Sequence, residues 1–76
     1  MQVAGQWTPQ QVASWIASFG ADFSQYRAAI ESNGINGEAL LDDFGDDELD
    51  DINVEKKSHR KRILRETKKL SMKNNA

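Results

Sequence analysis

A chain of 76 residues, with 38% hydrophobic and 29% charged side chains, carries enough apolar material for one small globular domain and too much for a disordered tail. The absence of cysteine excludes disulfides and thiolate metal sites, and no apolar run approaches the length of a membrane span. The net charge of −2 conceals a sharp division: residues 1–55 hold eleven acids and one base, Arg27, whereas residues 56–76 hold nine bases and one acid, Glu66. Asymmetry of this kind bears on partners and association rate more than on fold. With no cysteine and no secretory leader pattern, the expected setting is intracellular and cytoplasmic, in a domain excised from a longer protein.

In chain order, the first helix announces itself at Thr8-Pro9-Gln10-Gln11. Thr8 is a capping residue, Pro9 suits the first helical position, and Gln11 stands where a capping box needs it. Trp7 and Val12 take the two positions of a hydrophobic staple. Val12, Trp15, Ile16 and Phe19 then recur at helical spacing as a buried face, and Gly20 stops the helix. A second helix is expected over Phe23 to Ser32, with Phe23, Tyr26 and Ile30 inward, ended by Asn33-Gly34. Asn36 caps a short third helix, Gly37 to Leu41, and Asp42-Asp43-Phe44-Gly45 is a turn. A fourth helix follows from about Asp46 to Ile52, broken at Asn53, with Val54 buried. The last and longest helix runs from about Glu55 to Leu70, with Ile63, Leu64, Thr67 and Leu70 as its stripe. The expected class is therefore all-α, a compact five-helix bundle with a long C-terminal helix. Its domain spans 7–70, with flexible segments at 1–6 and 71–76.

The residues at these junctions resemble the sterile alpha motif (SAM) domain. The resemblance runs through Trp7-Thr8, Val12 with Trp15-Ile16, Phe19-Gly20, and Tyr26 with Ile30. It continues through Ile35-Asn36-Gly37-Glu38-Ala39-Leu40-Leu41, Leu49 with Ile52-Asn53-Val54, and His59-Arg60 with Ile63-Leu64. It covers about Trp7 to Leu70 and implies the same five-helix bundle. Three places depart from the usual pattern. Asn53 and Ser58 stand where the family usually has glycine, and Asp42-Asp43 stand where many members carry leucines. Asn tolerates the left-handed conformation, so the fold should survive.

The resemblance implies a protein-interaction module, not an enzyme, that docks on other SAM domains head to tail, as homopolymer or hetero-pair. Its mid-loop face would be acidic: Asp42, Asp43, Phe44, Asp46, Asp47, Glu48, Asp50 and Asp51. Its end-helix face would be basic: Lys56, Lys57, His59, Arg60 and Lys61. The residues give reasons of their own to look for partners here. Asp46, Asp47 and Glu48 favour a helix start, but Asp50 and Asp51 lie at the wrong end of that helix. Lys56, Lys57, Arg60 and Lys61 likewise place positive charge on the positive end of the last helix, at about 0.3 kcal/mol or more each. Stability explains the acids only in part and these bases not at all. Lys57, Lys61, Arg65 and Lys68 fall on the outer side of the last helix, and Lys69 and Lys73 continue the basic run. Lys56 and Arg60 fall in line with the apolar stripe, so an internal salt bridge or a snorkelling stem is the alternative for them.

Sharper chemistries fail on spacing. Placing Gly45 at the sixth position of a calcium loop makes Leu40 the first ligand, and one histidine without cysteine builds no usual zinc site, so no metal or cofactor is expected. Ser58 beside His59 has no orienting partner or oxyanion motif and is not a catalytic pair. His59 is expected to pack at the helix start, at the edge of the basic surface. The aromatic residues are expected in the core, with Phe44 as a candidate exposed anchor between acids. The run Lys57 to Arg62 also looks like a nuclear import signal or an RNA-binding patch, and some SAM domains bind RNA hairpins through this end of the helix. The acidic remainder and the lack of interleaved aromatics argue against RNA.

Overall fold

The computed structural model describes residues 4–42 and 44–74, with side chains described through Met72, and among them every regular element is helical. Five α-helices run in order: α1 Pro9–Ala17, α2 Arg27–Ser32, α3 Gly37–Asp42, α4 Asp46–Asp51 and α5 Lys57–Asn74. Two 3-10 segments, Ala4–Gln6 and Ala21–Tyr26, precede α1 and α2. The expected second helix is thus split. Its first half is 3-10, in keeping with the three-residue step from Phe23 to Tyr26 on one buried side.

Local chemistry sets the helix ends. Thr8 and Gln11 form a reciprocal capping box on α1: Gln11 N–H donates to Thr8 Oγ1 at 3.2 Å, and Thr8 N–H to Gln11 Oε1 at 2.9 Å. Asn36 Oδ1 caps α3 by accepting from Ala39 N–H at 2.9 Å. At α4 the returning half of a capping box is present, Gly45 N–H donating to Glu48 Oε1 at 2.7 Å.

The exits from α2 and α4 repeat one device. Ile35 N–H donates to Ile30 O and Gly34 N–H to Glu31 O; Val54 N–H donates to Leu49 O and Asn53 N–H to Asp50 O. This is the Schellman pattern, with a left-handed residue at the first position past the helix. Gly34 has φ 65° and Asn53 has φ 61°, so Asn53 holds the conformation that glycine would hold more easily. Each motif folds the next apolar residue back onto the helix, which is why Ile35 and Val54 are buried although both lie outside helices.

Val12, Ile16, Ile30, Leu40, Leu49, Ile52, Val54 and Ile63 are fully buried, and at about 1.5–3 kcal/mol each they dominate the burial energy. Helix α1 packs on α2 and on the 3-10 segment before it, while α3 packs on α5. Trp15, expected inside, is only half-buried. It belongs to an aromatic ladder at the domain edge, 5.7 Å from Trp7 and 4.9 Å from Phe19, and Phe19 lies 5.6 Å from Phe23. The Arg62 guanidinium sits 5.2 Å from the Phe19 ring centroid and covers the ladder.

Helical structure reaches past both expected domain boundaries, to Ala4 at one end and Asn74 at the other, and α5 begins at Lys57, two residues later than expected. Ala4 is buried, and Gly37 N–H donates to Trp7 O at 2.9 Å. A Cβ on Gly37 would lie 1.7 Å from Ala4 O, so only glycine permits this seating of the N-terminal segment on the start of α3.

Candidate protein-interaction faces

The charged runs that divide the sequence meet in space at Arg60. Its Nε donates to Val54 O at 2.6 Å, its Nη1 to Asp46 Oδ1 at 3.3 Å and its Nη2 to Asp50 Oδ1. Asp46 and Asp50 are one turn apart on α4, so one guanidinium spans both and ties α4 to the first turn of α5. The Asp50 hydrogen bond, with smaller contributions from the Asp50 and Asp46 charges and from the Asp46 hydrogen bond, outweighs desolvation and holds Arg60 above its already high ordinary pKa. Arg60 therefore belongs to an internal ion pair, the alternative that its position in the apolar stripe allows.

His59 also leaves the basic face. It is buried, its ring stacks on Phe23 at 4.2 Å, and its Nδ1 lies 2.6 Å from the Tyr26 hydroxyl. Burial, then the charges of Asp22 and Glu55, push the Tyr26 phenol above its ordinary value, so the hydroxyl keeps its proton and is available as a donor to Nδ1. The place of His59 is interior packing under the start of α5, not the surface edge.

What remains on the basic side is Lys56, Lys57 and Lys61, all exposed and in none of the ion pairs among the described residues. Arg65 and Lys68 continue the outer line of α5 in the same state, as the helical spacing expects. Arg62 and Lys69 instead pair with Glu66, at 3.4 and 3.8 Å.

The acidic set divides in the same way. Asp46 and Asp50 are held by Arg60, and Glu48 is turned back on Gly45 N–H. Asp47 and Asp51, one turn apart on α4, are exposed and unpaired among the described residues. Asp42 is exposed at the end of α3, and Asp43 lies outside the described residues. Phe44 is no free anchor: it is half-buried against the core. The side chain of Lys73 is likewise outside the described ones.

Two shallow grooves flank the seam between these elements and share Leu64. The upper one is lined by Asp46, Glu55, Lys57, Arg60 and Lys61. The lower one runs between α3 and the second half of α5, with Leu41, Phe44, Asp42, Lys68 and Met72 on its walls. Sequence reading missed the lower groove, although Leu64, Lys68 and Met72 recur every four residues and so had to share one side of α5. Among the described residues no helix is long and apolar enough to cross a membrane, and no three acidic or histidine side chains converge as a metal site.

No curated protein matched the chain. The family model of the SAM domain (sterile alpha motif) matches residues 5–71, which takes in α1 to α4, α5 as far as Ser71, and all of the seated N-terminal turn except Ala4. SAM domains are in general protein-interaction modules. On that match and this helical order, the chain belongs to the sterile alpha motif family.

Proposed function

We propose that this domain docks head to tail on other SAM domains, the acidic surface of α4 meeting the basic start of α5 of the next domain. One observation carries the reading. Arg60 spends its charge on Asp46 and Asp50, which leaves that cluster one negative charge, while Asp47 and Asp51 on one side and Lys56, Lys57 and Lys61 on the other remain exposed and in no ion pair among the described residues. Each surface therefore keeps a net charge of one sign after internal pairing. Such a heterologous contact propagates into a filament unless it closes, which fits a polymerising scaffold in intracellular signalling.

The test uses charges that are free in the monomer, so that the Arg60 clamp stays intact. One variant carries Asp47→Lys with Asp51→Lys, the other Lys57→Glu with Lys61→Glu. Titrating one variant into the other should give a one-to-one complex that weakens as salt rises. Added to wild type, each variant should cap assemblies at one end, because only one of its two surfaces still docks. A mixture of the two variants that associates no more tightly than either variant does alone, at concentrations where wild type assembles, would remove the reading. RNA binding through the same lysines is the competing outcome: Asp47→Lys with Asp51→Lys would then leave or raise RNA affinity while no protein complex forms.

A further inference from the structure

We infer that the groove between α3 and the second half of α5 is a separate, two-fold contact with a second copy of this chain. Met72 is 66% exposed, the large apolar side chain most in water among the described residues, and it stands at the rim of a groove walled by half-buried Leu41, Phe44 and Leu64. Asp42 on α3 and Lys68 on α5 flank the same groove, both exposed and neither in an ion pair among the described residues. The patch thus carries an apolar knob and an apolar recess, an anion and a cation.

A surface of that composition is its own complement. In an isologous contact, residue i of one copy meets residue j of the other and the reverse holds by symmetry. Met72 of each copy enters the groove of the other, and Lys68 of each meets Asp42 of the other. An unrelated partner would have to bring an apolar side chain flanked by both signs of charge, which this chain already presents. The contact uses none of Asp47, Asp51, Lys57 or Lys61, so it can join two head-to-tail arrays side by side or form a dimer without them.

The experiment is sedimentation equilibrium to millimolar concentration in the Asp47→Lys, Asp51→Lys background, where the head-to-tail contact is disabled. The expected result is a monomer–dimer equilibrium that stops at two chains. Adding Met72→Glu should abolish the dimer, and thermal melting should be nearly unchanged because Met72 lies mostly in water. Lys68→Glu or Asp42→Lys alone should weaken the dimer at least tenfold, and both in one chain should restore it to within about threefold of the background. A background variant that stays monomeric, a dimer indifferent to Met72→Glu, or a double exchange that restores nothing overturns the inference. If wild type assembles and the background variant does not, the head-to-tail reading stands and the groove contact fails; if both stop at the same dimer, the reverse holds.

Discussion

Replacing Gly37 by alanine probes how the N-terminal segment is held. The added methyl would lie 1.7 Å from Ala4 O and 2.9 Å from Trp7 N, both backbone atoms, so no side-chain rotation relieves the overlap. Either α3 shifts or Ala4–Trp7 lifts away. Lifting breaks the Gly37 N–H to Trp7 O bond, about 1 kcal/mol. It re-exposes the Ala4 methyl, about 0.8 kcal/mol. It also loosens the Trp7–Trp15 pair, worth about 0.5–1.5 kcal/mol. The sum is about 2–3 kcal/mol, and at about 4–8 °C per kcal/mol for a domain of this size the melting temperature should fall by roughly 10–20 °C. Thermal unfolding followed by circular dichroism, with tryptophan fluorescence reporting the Trp7–Trp15 pair, reads both effects. Gly5→Ala is the control, because its added methyl meets only the Leu41 side chain at 3.8 Å. A Gly37→Ala protein that melts within about two degrees of wild type, with unchanged fluorescence, would refute the seating of the segment.

Further outcomes follow from the same packing. Trp15→Ala should cost about 2 kcal/mol by chemical denaturation, below the roughly 3–5 of a fully buried tryptophan, while Ile16→Ala should cost about 2–5. Asn53→Gly should leave stability unchanged or raise it by up to about 1 kcal/mol, whereas Asn53→Ala should lower it by about 1, since only the left-handed conformation ends α4 this way. Tyr26 is the one tyrosine, so phenolate absorbance should show a titration above the ordinary value of 10.0. Because the folded value is raised, this contribution to stability is complete below the unfolded value and is lost as pH rises through the folded one. A phenol that titrates at or below its ordinary value would contradict the buried Tyr26–His59 pair. Arg60→Gln should lower the unfolding midpoint and free Asp46 and Asp50, making the acidic surface more responsive to salt.

Where the sequence was legible, the chemistry was local. Thr8-Pro9-Gln10-Gln11 reads as a capping box because donor and acceptor are three residues apart, and Asn33-Gly34 reads as an exit because one residue takes the left-handed turn. The charges that stay free on α5 also follow from helical spacing alone. What spacing could not supply was contact across the chain. His59 finds Tyr26 thirty-three residues away and turns inward, and Arg60 finds Asp50 and Asp46 ten and fourteen residues away and spends its charge on them at the surface. Trp15 falls on the apolar side of α1, but periodicity does not say that this side reaches the domain edge there. The seat of Ala4 on Gly37 depends on two segments more than thirty residues apart, and the lower groove arises from α3 lying against α5, so neither leaves a local signature.

The central claim, docking of an acidic α4 surface on a basic α5 start, is met most directly by one sedimentation measurement. Asp47→Lys with Asp51→Lys is mixed with Lys57→Glu plus Lys61→Glu, both chains also carrying Met72→Glu so that only the head-to-tail contact remains. Each variant alone should sediment as a monomer, because one of its two surfaces is reversed. Their equimolar mixture should form a dimer through the two intact surfaces. The two reversed surfaces left at its ends are again opposite in sign and can join such dimers end to end, so the prediction is one-to-one association in the mixture and none in either variant alone. Reversing two exposed pairs should weaken each homotypic contact by about 2 kcal/mol, or roughly thirtyfold. A mixture that remains monomeric at concentrations where wild type assembles would contradict the account.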